Sequence, residues 1–167
     1  MARSEQAAQG SGLAWTILRP AAFMSNTFRW LPQLRSGDLV RAPFAQVRAA
    51  VTDPADIAAV AAAALTTPGH EGRVYELSGP QSLTPADQVA ILGGVLGRDL
   101  RFEAQTDKDA RAEMSKTMPA RYVDAFFDFY VGGTLDESKV LPTVEDIADR
   151  PARPFADWVT AHAGAFR

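Results

Sequence analysis

The stretch that decides the fold is SGLAWTILRP, residues 11–20. Its segment Leu13–Leu18 is β-prone on both faces, which is typical of a strand buried in a parallel sheet. The Arg19-Pro20 pair is expected to end this strand. A short helix is predicted before it, over residues 2–9, and it should end at the Gly10-Ser11-Gly12 break.

A second helix is predicted to begin at Asp53-Pro54-Ala55-Asp56, because Asp favours the N-cap and Pro favours the first helical position. An acid in the first turn also suits the positive end of the helix dipole. The pattern predicts a strand at Val74–Leu77 after this helix. The apolar face of the helix should hold Ile57, Val60, Ala61, Ala64 and Leu65.

The same start signal recurs at Thr84-Pro85-Ala86-Asp87 and predicts a third helix that ends at Gly97. Residues Leu100–Glu103 then alternate as a short strand. Helices are expected beyond residue 106, namely 107–116, 119–131 and a last one from Pro154. We therefore predict a single domain of 167 residues, with an α/β layer over 1–105 and a helical appendage over 106–167.

Composition narrows the classes of function. The net charge is −3, so no basic field favours nucleic acid. Cysteine is absent, which excludes disulfides and thiolate metal sites and fits a cytoplasmic protein. The longest apolar run, Ile57–Leu65, is too short to span a bilayer. We expect neither a nucleic-acid partner nor a membrane partner.

Four ordered segments carry a family resemblance. They are residues 5–26, residues 53–65, the segment GHEGRVYELSGP at 69–80, and the tail from Thr143 through RPARPFADW at 150–158. Together they resemble the C-terminal part of NmrA-like, atypical short-chain dehydrogenases/reductases. The resemblance implies a partial Rossmann-like parallel sheet, containing the last strands only, with a C-terminal helical substrate-domain appendage.

The glycine loop of that family, G-x-x-G-x-x-G after a first strand, has no counterpart in the 167 residues. We therefore expect the chain to lack the N-terminal cofactor half. NAD(P) is implied by the resemblance, but its binding to this chain alone is expected to be weak or absent. The family's Tyr-x-x-x-Lys pair is missing too, because the three tyrosines are followed four residues later by Gly79, Phe126 and Thr134. No catalytic residue is assigned.

The resemblance implies that Pro20, Ala21, Ala22 and Phe23 line the nicotinamide end of a cofactor site. The alternative is a simple strand exit whose aromatic ring fills the core. Asn26 is a candidate to hydrogen-bond a ligand, although it could instead cap the next turn.

The candidate substrate residues besides Asn26 are the aromatic Tyr122, Phe126 and Tyr130, since aromatic rings can shape a pocket for a flat ligand. The same cluster could be core between appendage and sheet. His70 and His162 have no nucleophile or metal-ligand partner at a telling spacing, so no metal site is predicted.

Two functions remain open. One is an NAD(P)-dependent oxidoreductase module that holds the substrate and needs a cofactor half; the other is a non-catalytic binding or regulatory protein. A truncated reading frame is a third possibility. In the fold that the resemblance implies, a strand of the missing half pairs with Trp15–Leu18, so this uncharged strand should have an unpaired edge. We therefore expect a homodimer, or a partner that supplies the missing strands.

Overall fold

The computed structural model describes residues 2–166. Its strands are β1 (Thr16–Pro20), β2 (Leu39–Ala42), β3 (Arg73–Leu77) and β4 (Arg101–Ala104). Two short 3-10 helices span Met24–Trp30 and Ala163–Phe166. The α-helices are α1 (Ala2–Gln9), α2 (Leu31–Ser36), α3 (Pro54–Thr66), α4 (Pro85–Leu96), α5 (Asp107–Met114), α6 (Ala120–Tyr130), α7 (Thr143–Ala148) and α8 (Phe155–His162).

The strands form two parallel pairs, β1 with β3 and β2 with β4. Strand β1 begins later than predicted, because its register starts with Thr16 opposite Arg73. Leu13 lies before this register and is 74% exposed. The strand also continues through Pro20, which pairs with Leu77. The mixed α/β class with a parallel sheet is confirmed, whereas the bounds of the first strand and its full burial are corrected.

Strand β2 was not predicted, and it changes the layout of the sheet. Strand β4 pairs with β2 and not with β3. A parallel bridge between Phe23 and Thr52 and an antiparallel bridge between Ala49 and Leu83 continue the backbone pairing outside the named strands. Segment 49–52 is therefore paired both with the turn after β1 and with Leu83, which lies just before α4.

The helix starts at Asp53 and Thr84 are confirmed. The Asp53 carboxylate accepts a hydrogen bond from the Ala55 N–H at 2.8 Å. Thr84 and Asp87 form a reciprocal capping box at the start of α4. Gly97 ends α4 in the left-handed conformation, with φ of 65°.

The apolar face of α3 is narrower than predicted. Val60 is fully buried, but Leu65 is 86% exposed. Leu65 lies five positions after Val60, about 140° around the helix, so it points away from the packed side. Asp56 was predicted to interact with the positive end of the helix dipole. Its side chain is also fully buried, which was not predicted.

The main hydrophobic core contains side chains from both the α/β layer and the helical appendage. Met24, Trp30, Val89, Phe155 and Trp158 are buried in one cluster. Helix α8 packs on α4, and α7 packs on α3. The last helices thus contact the α/β layer directly. No helix in the described residues is both long and apolar enough to cross a membrane.

Candidate functional site

The segments that follow three strands, one from the β1–β3 pair and both from the β2–β4 pair, line one cleft of about 700 Å³. Ala22 and Phe23 follow β1, Pro43 and Phe44 follow β2, and Gln105 follows β4. Helices α5 and α6 form the opposite wall. Ligands of open α/β sheets bind beyond the carboxyl ends of strands, so the fold itself singles out this cleft.

The turn after β1 is held by backbone hydrogen bonds. Ala21 N–H donates to the Leu77 carbonyl at 2.8 Å, and the Ala22 carbonyl accepts from Thr52 N–H at 2.8 Å. Met24 N–H donates to the Thr52 carbonyl at 3.0 Å. The turn is therefore fixed, although the Phe23 ring between these bonds remains 41% exposed. Phe23 consequently offers an aromatic surface to the cleft and does not fill the core.

Five of the predicted site residues line this cleft together: Ala22, Phe23, Asn26, Phe126 and Tyr130. Pro20 and Ala21 are outside its lining, in the strand end and the turn below it. Tyr122 is also outside and is 49% exposed. Its hydroxyl accepts a hydrogen bond from Arg121 at 3.3 Å.

Helix α6 divides its aromatic residues between core and cleft. Phe127 is buried with Val123 and Ala110, whereas Phe126 is half-buried and lines the cleft. Neighbouring helical positions point about 100° apart, so one helix serves both purposes. Phe127 is therefore a core residue, whereas Phe126 and Tyr130 line the cleft.

Phe44 is a cleft residue that the sequence analysis missed. Its φ is +56°, a left-handed conformation that is uncommon for a bulky side chain. Its ring contacts Phe127 at 5.1 Å and Tyr130 at 5.0 Å between centroids. Strained backbone of this kind clusters at binding sites, and no sequence signal marks it, because phenylalanine is not a turn former.

Tyr130 and Glu137 form the polar end of the aromatic wall. The Tyr130 hydroxyl donates to Glu137 Oε2 at 3.0 Å. Burial and the nearby carboxylate raise the pKa of Tyr130 to about 12. Tyr130 therefore stays protonated at neutral pH and orients Glu137. The segment after α6 is held over the cleft by a 2.7 Å hydrogen bond from Ala50 N–H to the Glu137 carbonyl.

Comparisons with known proteins find reductases that are similar to this chain. No family model matches the chain. The chain is 46% identical over 164 residues to a (4-alkanoyl-5-oxo-2,5-dihydrofuran-3-yl)methyl phosphate reductase of Streptomyces griseus, covering 98% of this chain and 58% of the relative. It is 38% identical to an NAD(P)H azoreductase of Xenophilus azovorans, covering 99% and 59% respectively.

The chain is a partial-length homologue of NAD(P)-dependent reductases of the NmrA-like, atypical short-chain dehydrogenase/reductase type. An NADPH-dependent quinone oxidoreductase from Escherichia coli superposes with a TM-score of 0.77 at 25% identity, covering 97% of this chain and 60% of that one. The resemblance and the Rossmann-like reductase fold are thus confirmed. The chain spans less than two thirds of the length of these reductases.

The residues at the cleft suit the nicotinamide end of NAD(P), the family's cofactor, but not its pyrophosphate. An exposed phenyl ring and the small Ala22 at a strand exit suit the flat nicotinamide ring. No glycine-rich strand-to-helix turn that could cradle a pyrophosphate is present in residues 2–166. No cluster of metal-ligating side chains occurs there either.

Proposed function

We propose that the chain is the substrate-binding part of an NAD(P)H-dependent oxidoreductase that works in the cytoplasm and reduces a small conjugated molecule. The convergence of the β1, β2 and β4 carboxyl ends on one aromatic cleft is the observation that carries this proposal. The relatives are named as reductases of a dihydrofuranone phosphate, an azo compound and a quinone. All three are flat and conjugated, which suits walls of Phe23, Phe44, Phe126 and Tyr130.

The cofactor would supply the hydride, and the chain would position its acceptor. Phe23 and Ala22 would face the nicotinamide, while Phe126 and Phe44 would hold the substrate ring between aromatic walls. Tyr130 keeps its proton and fixes Glu137 at the polar end of the cleft. The aromatic walls would also exclude water from the reacting atoms.

We expect the 167-residue chain to bind the substrate class without binding the dinucleotide tightly. The pyrophosphate normally receives several charge-assisted hydrogen bonds, each contributing about 1.5–3 kcal/mol, and these residues do not supply them. Calorimetric titration should give a Kd above about 1 mM for NADH and for NADPH, which corresponds to a binding free energy weaker than about −4 kcal/mol. The Escherichia coli quinone oxidoreductase, which has been crystallised with NADPH, is the positive control.

A micromolar Kd for either dinucleotide would contradict the expectation that this chain binds the substrate without binding the cofactor tightly. NADPH consumption with a quinone or the dihydrofuranone phosphate separates a reductase from a non-catalytic regulator when the dinucleotide-binding part of a relative, such as the Xenophilus azovorans azoreductase, is joined to the chain. The chain alone should show substrate binding without turnover.

We also propose that the chain forms a homodimer. Within the described residues β1 and β3 pair only with each other, so each has an open edge. Leu13 and Val74 are exposed apolar side chains, which favours a covered surface. Light scattering at micromolar concentration should give about twice the chain mass of 18.0 kDa. A stable monomer would contradict the dimer, and a requirement for a second protein would favour a partner that supplies strands.

A further inference from the structure

The cleft contains a cation that has no acidic partner. Arg29 lines the cleft from the first 3-10 helix. Its Nε donates to the Asn26 carbonyl at 2.8 Å, and its terminal nitrogens make no hydrogen bond or ion pair with residues 2–166. Several donors of the guanidinium thus remain free for a ligand.

The other charged residues of the cleft already have partners. Arg41 pairs with Glu103 at 2.7 Å, and Glu113 pairs with Lys116. Glu137 accepts the Tyr130 hydroxyl. Arg29 is therefore the cation of the cleft that has no acidic partner within the described residues, while the Glu137 carboxylate keeps its negative charge beside Tyr130.

The Arg29 side chain is exposed, so an anion can reach its guanidinium from the cleft. Solvent reaches the guanidinium through the cleft, but the protein packed around it lowers its pKa from the ordinary value. Partial loss of hydration strengthens an ionic contact. Its planar fork of donors matches a phosphate or carboxylate in two-point contact.

We propose that Arg29 selects a substrate that carries a phosphate or carboxylate group beside its conjugated ring. This inference rests on the proposed function, because it specifies which ligand the same cleft takes. The aromatic residues bind the ring, and Arg29 distinguishes a charged molecule from its neutral analogue. Arg29 is a specificity residue and not a proton donor, since guanidinium does not release its proton at neutral pH.

A matched pair of ligands tests the proposal. The probes are a (4-alkanoyl-5-oxo-2,5-dihydrofuran-3-yl)methyl phosphate and the corresponding alcohol, titrated calorimetrically into the chain. We expect the phosphate to bind about 10-fold to 100-fold more tightly than the alcohol, the range for hydrogen bonds to charged groups. Arg29→Met should abolish that preference and leave the affinity for the alcohol unchanged. Arg29→Lys should restore part of it.

Arg35→Met is the matched control, because it removes the same charge from the exposed face of α2 outside the cleft. It should keep the preference for the phosphate. Equal binding of both probes to the wild-type chain would overturn the role of Arg29 while leaving the cleft as a binding site. Equal weakening of both probes by Arg29→Met would overturn selectivity in favour of a structural role. If neither probe binds, both the role of Arg29 and the proposed function are overturned.

Discussion

Trp158→Ala is expected to lower the free energy of unfolding by about 4 kcal/mol. Trp158 is 1% exposed, and its ring contacts Phe28 at 5.1 Å and His162 at 4.5 Å between centroids. The substitution removes one of the two tryptophans of the core that joins α8 to α4. Chemical denaturation followed by circular dichroism measures the change.

Leu65→Ala is the control for Trp158→Ala. Leu65 is 86% exposed, so its truncation should change the free energy of unfolding by less than about 0.5 kcal/mol. Equal effects of the two substitutions would show that α8 does not complete the core. That result would contradict the packing of the helical appendage on the α/β layer.

Asp56→Ala is expected to cost about 3 kcal/mol. Asp56 is fully buried and forms an ion pair with Arg150 at 2.7 Å. Its other carboxylate oxygen accepts from the Arg153 N–H at 2.8 Å. Removing the buried carboxylate leaves the Arg153 N–H without its acceptor and Arg150 without its ionic partner. The tail should then detach from the start of α3.

Thermal and urea unfolding of Asp56→Ala measures this cost. Asp99→Ala removes the same charge at an exposed position and should be nearly neutral. In a double-mutant cycle, Asp56→Ala and Arg150→Ala should be non-additive, because they share one contact. Additive effects would mean that the ion pair does not hold the tail.

Local signals predicted some elements of the fold well. Asp53-Pro54 and Thr84-Pro85 start helices through side-chain caps, and a cap needs only neighbouring residues. Strand β2 was missed because Leu39–Ala42 is only 4 residues long and its pairing with β4 is distant in sequence. The buried state of Asp56 was missed for the same reason, since its partner Arg150 lies far along the chain.

The lining of the cleft was predicted only in part, because much of it depends on contacts that are distant in sequence. The family resemblance pointed to Ala22 and Phe23, and the aromatic content pointed to Phe126 and Tyr130. Composition cannot tell Phe126 from Phe127, because only packing decides which face of α6 meets the core. Arg29 and Phe44 carry no local motif, and their place in the cleft depends on the turn after β1 and the end of β2.

The most direct test that the cleft is the substrate site is a ¹H–¹⁵N NMR titration of the chain with the dihydrofuranone phosphate. We expect saturable shift changes at Ala22, Phe44, Phe126 and Tyr130, and their loss in a folded Phe126→Ala variant. Shift changes gathered around Leu13 and Leu65, or none at millimolar ligand, would contradict a substrate site at the carboxyl ends of β1, β2 and β4.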